Sequence, residues 1–197
     1  MSAQKKSDVQ TGRFLSLVLR HKPEEIGLTI DRNGGWADTR ELIEKVSAAG
    51  YELDMETLER IVRENNKQRY SFNEDKSRIR ANQGHSIDVV IDMQIKDPPA
   101  RLYHGTGSQF LESIRREGIL HMSRQYVHLS ADPETAFNVG SRHTRRSGAA
   151  VVLVIDTAKM AEDGYVFRIS DNGVWQSADI PWKYVCEIIE NDGKEVD

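Results

Sequence analysis

The first apolar cluster of the chain, Phe14, Leu15, Leu17, Val18 and Leu19, is dense enough to predict a buried helix from Gly12 to Arg20. Pro23 stops it, because its ring fixes φ and removes a backbone donor. Ile26 to Ile30 reads as a short strand, and Asp31-Arg32-Asn33-Gly34-Gly35 as a turn. Asp38 is a good N-cap for a helix with Leu42, Ile43 and Val46 on one face, ended by Gly50. Asp54 caps another, with Met55, Leu58, Ile61 and Val62 at helical spacing. Arg69 to Phe72, a polar turn at Asn73 to Lys76, and Arg78 to Arg80 then predict a β-hairpin.

Helix, strand, two helices and a hairpin is the order of a winged-helix domain, which often meets nucleic acid, although a fold by itself does not set function. Val89 to Ile95 predicts a further strand, and Asp97-Pro98-Pro99 breaks it. The expected boundary lies there, giving lobes of residues 1–97 and 98–197. Beyond it, Arg101 to His104 predicts a strand and Ser108 to Arg116 a helix with Phe110, Leu111 and Ile114 inward. Val127 to Ser130 is a strand, and Asp132 caps a helix through Ala136 and Phe137 to Val139. Val151 to Ile155 is a central strand of branched residues. A turn at Asp171-Asn172-Gly173 and a last strand at Val185 to Ile189 complete an α+β pattern.

Composition narrows the class. At 197 residues the chain can bury two cores, and 38% hydrophobic with 29% charged residues is ordinary for a soluble protein. The longest apolar run, Ala149 to Ile155, is far too short to span a membrane, and MSAQKKSDVQ lacks the apolar centre of a signal peptide. The single cysteine, Cys186, leaves no internal disulfide and fits a reducing compartment. The expectation is a cytoplasmic protein without a membrane partner, and nothing in the chain demands more than a monomer.

The net charge of −4 is concentrated at the C-terminus, where Glu187, Glu190, Asp192, Glu195 and Asp197 face one Lys194. The rest of the chain is therefore neutral, with local positive patches. One holds Lys67, Arg69, Lys76, Arg78 and Arg80 against Glu74 and Asp75; a second is Arg142, Arg145 and Arg146. Such patches suit a small phosphorylated target or a short RNA contact better than tracking along a duplex. Solvated surface charge is the commoner meaning of any single cluster.

The chain contains no cysteine pair, no HExxH and no GxGxxG; its candidate chemistry is arginine and histidine. Guanidinium matches phosphate oxygens bidentately and stays charged, so a phosphorylated substrate is implied. Arg20-His21 closes a helix, where cations also complement the macrodipole without any ligand. His104-Gly105-Thr106 follows a strand, and at a strand-to-helix turn Gly would admit a ligand while Thr offers a hydroxyl and an N–H. A satisfied turn histidine is the plainer alternative. Gln83-Gly84-His85-Ser86 reads equally as a polar turn, and Arg69 and Arg124 are uninformative singly. His121, His128 and His143 have no repeating spacing and no cysteine beside them, so no metal set is expected.

In combination these segments are more specific. FLSLVLRH (Phe14 to His21), KQRY (Lys67 to Tyr70), IRANQGHS (Ile79 to Ser86), YHGT (Tyr103 to Thr106), RQYVHLS (Arg124 to Ser130) and VGSRH (Val139 to His143) occur in one order. The set closely resembles the RNA (tRNA) 2′-phosphotransferase family over roughly Gly12 to Glu190. The LRH and QGHS blocks are specific, whereas HGT alone is shared with many ADP-ribosyltransferase relatives.

That resemblance implies a winged-helix RNA-binding lobe followed by an ADP-ribosyltransferase-like lobe that binds NAD+ as co-substrate, with no metal. It implies removal of an internal 2′-phosphate left at a tRNA splice junction. The RNA phosphate attacks C1″ of the nicotinamide-side ribose and expels nicotinamide. The ribose O2″ then attacks phosphorus, leaving 2′-hydroxyl RNA and ADP-ribose 1″,2″-cyclic phosphate. By motif, the family's essential Arg-His-Arg-Arg set falls on Arg20, His21, Arg69 and Arg124, with Arg69 preferred to Arg78 or Arg80. His104, Gly105, Thr106, Ser130 and Arg142 are implied to hold NAD+. No late glutamate matches the base that other ADP-ribosyltransferases use, as expected for an acceptor already anionic. Two alternatives stand beside this: an ADP-ribosyltransferase that marks phosphorylated RNA or DNA ends, and a non-catalytic winged-helix RNA binder that senses NAD+.

Overall fold

Two compact units, residues 1–92 and 93–197, divide the chain. The computed structural model describes residues 2–65, 67–91, 93–144 and 148–190, with side chains from residue 8 onward. Arg145 and Arg146 of the second basic patch, and the acids of the tail beyond Glu190, lie outside the described residues. The described part mixes helices with small antiparallel sheets, an α+β architecture. No helix among the described residues is long and apolar enough to cross a membrane.

In the first unit, helix α1 (Ser2–Arg20) starts well before the expected Gly12. Its polar first half contains no Pro or Gly to break it, and Arg60 grips Asp8 through two hydrogen bonds of 3.0 and 3.2 Å. Its second half is core, with Leu15, Val18 and Leu19 fully buried. After α1 the N–H groups of His21 and Lys22 both donate to Leu17 O at 2.9 Å, and Pro23 opens a single 3₁₀ turn.

Ile26 to Ile30 is not a strand. Gly27 takes φ +60°, which breaks an extended run, and Leu28 alone of that segment is buried. The strand is instead β1 (Trp36–Asp38), after a turn in which Gly34 and Gly35 both have positive φ. The Asp38 carboxylate caps α2 (Thr39–Ala48), accepting from Arg40 and Glu41 N–H at 2.9 Å each. Asp54 caps α3 (Met55–Glu64) by accepting from Thr57 N–H at 2.8 Å. Strands β2 (Tyr70–Phe72) and β3 (Arg78–Ala81) form the hairpin, and the sheet order is β1-β3-β2. Leu42, Val46, Leu58 and Ile79 complete the core around the end of α1.

Val89 to Ile95 is also not one strand. Val90 makes an isolated parallel bridge to Asn33. Gln94–Ile95 forms β4, which pairs with β8 (Arg168–Ile169). Also in the second unit, β5 (Arg101–Gly107) pairs along its length with β7 (Ala150–Asp156), and β10 (Val185–Glu190) flanks β7 on its other side. A second sheet has the order β4-β8-β9-β6, with β6 at Val127–Leu129 and β9 at Trp175–Ser177. Helices α4 (Leu111–Glu117), α5 (Pro133–Gly140) and α6 (Thr157–Glu162) connect them. Leu111 and Ile114 pack on the core as expected, but Phe110 does not; it closes a 3₁₀ turn and is 44% exposed.

Candidate active site

In the first unit the loop after β3 folds back on the end of α1. Ser86 N–H donates to Arg20 O at 3.0 Å, and the Ser86 hydroxyl pairs with His21 Nδ1 at 2.9 Å. Gly84, at φ +87°, lies under the Arg20 guanidinium; a Cβ there would stand 3.7 Å from Arg20 Nη1. Arg20 donates to Arg69 O at 3.4 Å, and its guanidinium carbon is 5.9 Å from the Tyr70 ring centre. Arg69 donates to Asn65 Oδ1 at 3.2 Å. Beneath them Tyr70 is buried, and its hydroxyl donates to Gly12 O at 2.6 Å. Burial raises the Tyr70 pKa, so the phenol stays neutral beside the two guanidinium groups. The fold therefore brings Arg20, His21 and Arg69 together. Of the two rival arginines, Arg78 pairs with Asp31 at 3.7 Å, and Arg80 lies over the Trp36 ring at 4.6 Å.

His85, which reads in the sequence as one polar residue of a turn, is only 2% exposed. Its pKa is lowered to about 4, first by burial and then by the charges of Arg20, His21 and Arg80. A buried imidazole held this low stays neutral near pH 7 beside Arg20 and Arg80. Its consequence is testable. Unfolded chains take up a proton here near the ordinary 6.5, whereas the folded protein does so only near 4. Falling pH across that window therefore favours the unfolded state. Stability contributed by His85 is complete above 6.5 and is lost on acidification, by on the order of 3 kcal/mol once both states are protonated. Urea unfolding from pH 7 to 4, with NMR of the His85 ring, should show a neutral imidazole at pH 5.5 and falling stability.

In the second unit, His104-Gly105-Thr106 does not sit at a strand-to-helix turn. All of it is strand: His104, Gly105 and Thr106 pair with Leu153, Val152 and Val151. The glycine serves the packing of α5, since a Cβ at Gly105 would lie 1.7 Å from Ala136 O. His104 and Thr106 project to the opposite face of β5 from Gly105. His104 Nδ1 lies 3.1 Å from His128 O, and because a carbonyl only accepts, Nδ1 carries the hydrogen. The neutral ring is thereby left with Nε2 as an acceptor. Burial, with the charges of His143 and Arg124 adding to it, lowers the His104 pKa against the effect of that hydrogen bond.

Arg124 is fixed by the segment before β6. Asp179 accepts from both the backbone N–H and Nδ1 of His121 at 2.7 Å, and Arg124 N–H donates to His121 O at 3.1 Å. The Arg124 guanidinium donates to His128 Nδ1 at 3.1 Å. Arg124 is exposed as a residue, yet its pKa is held below the arginine range, first by removal of its head from water and then by the Arg142 charge. Two guanidinium groups that repel one another are a receptor for an anion. Arg142 N–H bonds Val139 O in the turn after α5, and Ser130 exchanges backbone hydrogen bonds with Tyr103, beside His104. His104, Arg124, Arg142 and Ser130 thus gather in this unit. The His121 ring pairs with Asp179 and the His128 ring with Arg124, and no three His, Cys, Asp or Glu among the described residues could hold a metal ion.

Comparison with known proteins places this geometry. Residues 6–179 match the model of the RNA 2′-phosphotransferase, Tpt1 / KptA family. The chain is 58% identical over 179 residues to a protein of Fusobacterium nucleatum named "Probable RNA 2′-phosphotransferase", covering 91% of this chain and 98% of that one. Proteins of the same name from Flavobacterium johnsoniae and Burkholderia pseudomallei are 50% and 48% identical. These matches cover 88% and 89% of this chain, and 92% and 93% of theirs. A family match spanning most of both units, and relatives matched along nearly their whole length, leave one conclusion: the chain belongs to the RNA 2′-phosphotransferase, Tpt1 / KptA family.

Proposed function

We propose that this protein is an NAD+-dependent RNA 2′-phosphotransferase that removes an internal 2′-phosphate, such as one left at a tRNA splice junction. The first unit is a winged-helix RNA-binding lobe, a reading supported by its order of helices and by the β1-β3-β2 sheet. The second is an ADP-ribosyltransferase-like lobe for NAD+. The observation that carries the proposal is the Arg20-His21 pair, held by Ser86 and Gly84 within reach of Arg69. The donor set of the second unit fits the dinucleotide: the neutral His104 ring offers an acceptor for a ribose hydroxyl, and the adjoining charges of Arg124 and Arg142 suit phosphate.

In the first step a phosphate oxygen of the RNA forms a bond to C1″ while the bond from C1″ to nicotinamide breaks. The leaving group departs neutral, so no proton has to move. Arg20 and Arg69, in the first unit, hold the RNA phosphate in line, and Arg124, in the second, offsets the charge of the pyrophosphate. In the second step O2″ attacks phosphorus and the bond from phosphorus to RNA O2′ breaks. The proton of the O2″ hydroxyl must end on O2′, and His21 carries it. The arginines stabilise the charge that grows on pentavalent phosphorus. A short RNA with an internal 2′-phosphate, incubated with the protein and NAD+, should yield 2′-hydroxyl RNA, nicotinamide and ADP-ribose 1″,2″-cyclic phosphate. An intact 2′-phosphate after that incubation would rule out the activity.

A further inference from the structure

The second unit holds a buried amide that the chemistry above does not use. Gln176 stands in the middle of β9, directly opposite His128 on β6 and Arg168 on β8. Side chains alternate along a strand, and directly opposed residues share a face. Val127, Leu129 and Trp175 point into the core, so His128, Gln176 and Arg168 form a row on the other face of the sheet. The His128 side chain accepts from the Arg124 guanidinium through Nδ1, and its main-chain carbonyl accepts from the His104 ring. Gln176 is 2% exposed there, and its Nε2 has no hydrogen-bond partner. Buried amide donors are almost always satisfied, because leaving one unpaired costs free energy without return.

We propose that Gln176 is a ligand-binding residue that donates from Nε2 to an oxygen of the dinucleotide. The row is shared with His128, which contacts Arg124 and His104, so the acceptor lies on the part of the dinucleotide those groups hold, and the candidates are a ribose hydroxyl and the nicotinamide carboxamide oxygen. This rests on the proposed NAD+ dependence. A site that keeps a donor unpaired until substrate arrives sacrifices stability in the free protein, and that separates a binding role from a structural one.

The test measures thermal unfolding and titration calorimetry with NAD+ and with ADP-ribose, on wild type and on Gln176→Met and Gln176→Leu. Both variants keep the volume and remove the donor. The expected result is NAD+ binding roughly five- to tenfold weaker, as for one lost hydrogen bond, with a melting temperature equal to or above that of wild type. Weakening of ADP-ribose as well assigns the acceptor to the ribose, while weakening of NAD+ alone assigns it to the carboxamide. Unchanged NAD+ affinity in variants that fold overturns the proposal, as does a lower melting temperature in both variants, which would mean the amide is satisfied in the free protein. Wild type that binds neither ligand removes the NAD+-dependent reading itself, a result visible without any variant.

Discussion

Replacing His21 by alanine should let nicotinamide release continue while 2′-hydroxyl RNA formation falls by about 10²- to 10⁴-fold, the usual worth of a positioned acid–base group. The asymmetry follows from where protons move. An anionic phosphate is already nucleophilic and nicotinamide leaves without a proton, so the first step asks nothing of an imidazole. The second requires a ribose hydroxyl to lose its proton and an RNA oxygen to gain one. With His21 gone, RNA joined to ADP-ribose through its 2′-phosphate should accumulate and be resolved by gel within a single turnover. Arg69→Ala should give the same accumulation, because charge on phosphorus rises most in the second step. Arg78→Ala should be mild, since Arg78 serves an exposed pair with Asp31. Equal loss of nicotinamide release and of product from His21→Ala would move His21 to the first step. A crippling Arg78→Ala or Arg80→Ala would displace Arg69 from the set.

What was legible in the sequence, and what was not, divides along the range of the interactions. Helices α2 and α3 were readable because Asp38 and Asp54 cap them locally and their apolar residues repeat at helical spacing. Strand β7 was readable because branched residues run unbroken from Val151 to Ile155, all of them buried. Ile26 to Ile30 is apolar enough for a strand, but Gly27 at φ +60° breaks the extended run, and a glycine's conformation is not written in its neighbours. Strand β1 escaped because it is three residues long and ends on the residue that caps the next helix. Strand β4 depends on Arg168 and Ile169, far along the chain, and no local pattern announces such a partner. In the site, the Arg-His and QGHS segments were visible, but that Ser86 grips His21 is a contact across 65 positions. The burial of His85 and of Gln176 has no local signature for the same reason: neither residue's neighbours in the chain reveal it.

The glycine of His104-Gly105-Thr106 gives the sharpest test of that division, because its reason turned out to be packing. Alanine at 105 should lower the melting temperature by ~10 °C, at or beyond the upper end of the ~1–3 kcal/mol that overpacking costs; valine should prevent folding of the second unit. The new Cβ would stand 1.7 Å from Ala136 O, 2.6 Å from Ala136 C and 2.9 Å from Gly140 N, all backbone atoms that cannot rotate aside. Gly140 meets the strand in return, where a Cβ would lie 2.8 Å from Thr106 O, so neither side of the contact can retreat locally. Helix α5 must lift off β5 as a body, and with it the turn that places Arg142 and His143. Gly164→Ala is the control: its φ of +88° is strained for alanine but nothing lies within 4 Å, so only a penalty of ~1–2 kcal/mol for the left-handed backbone is expected. If Gly105→Ala melted with Gly164→Ala or above it, α5 could not approach β5 as closely as described. The glycine would then have to be explained by a ligand after all.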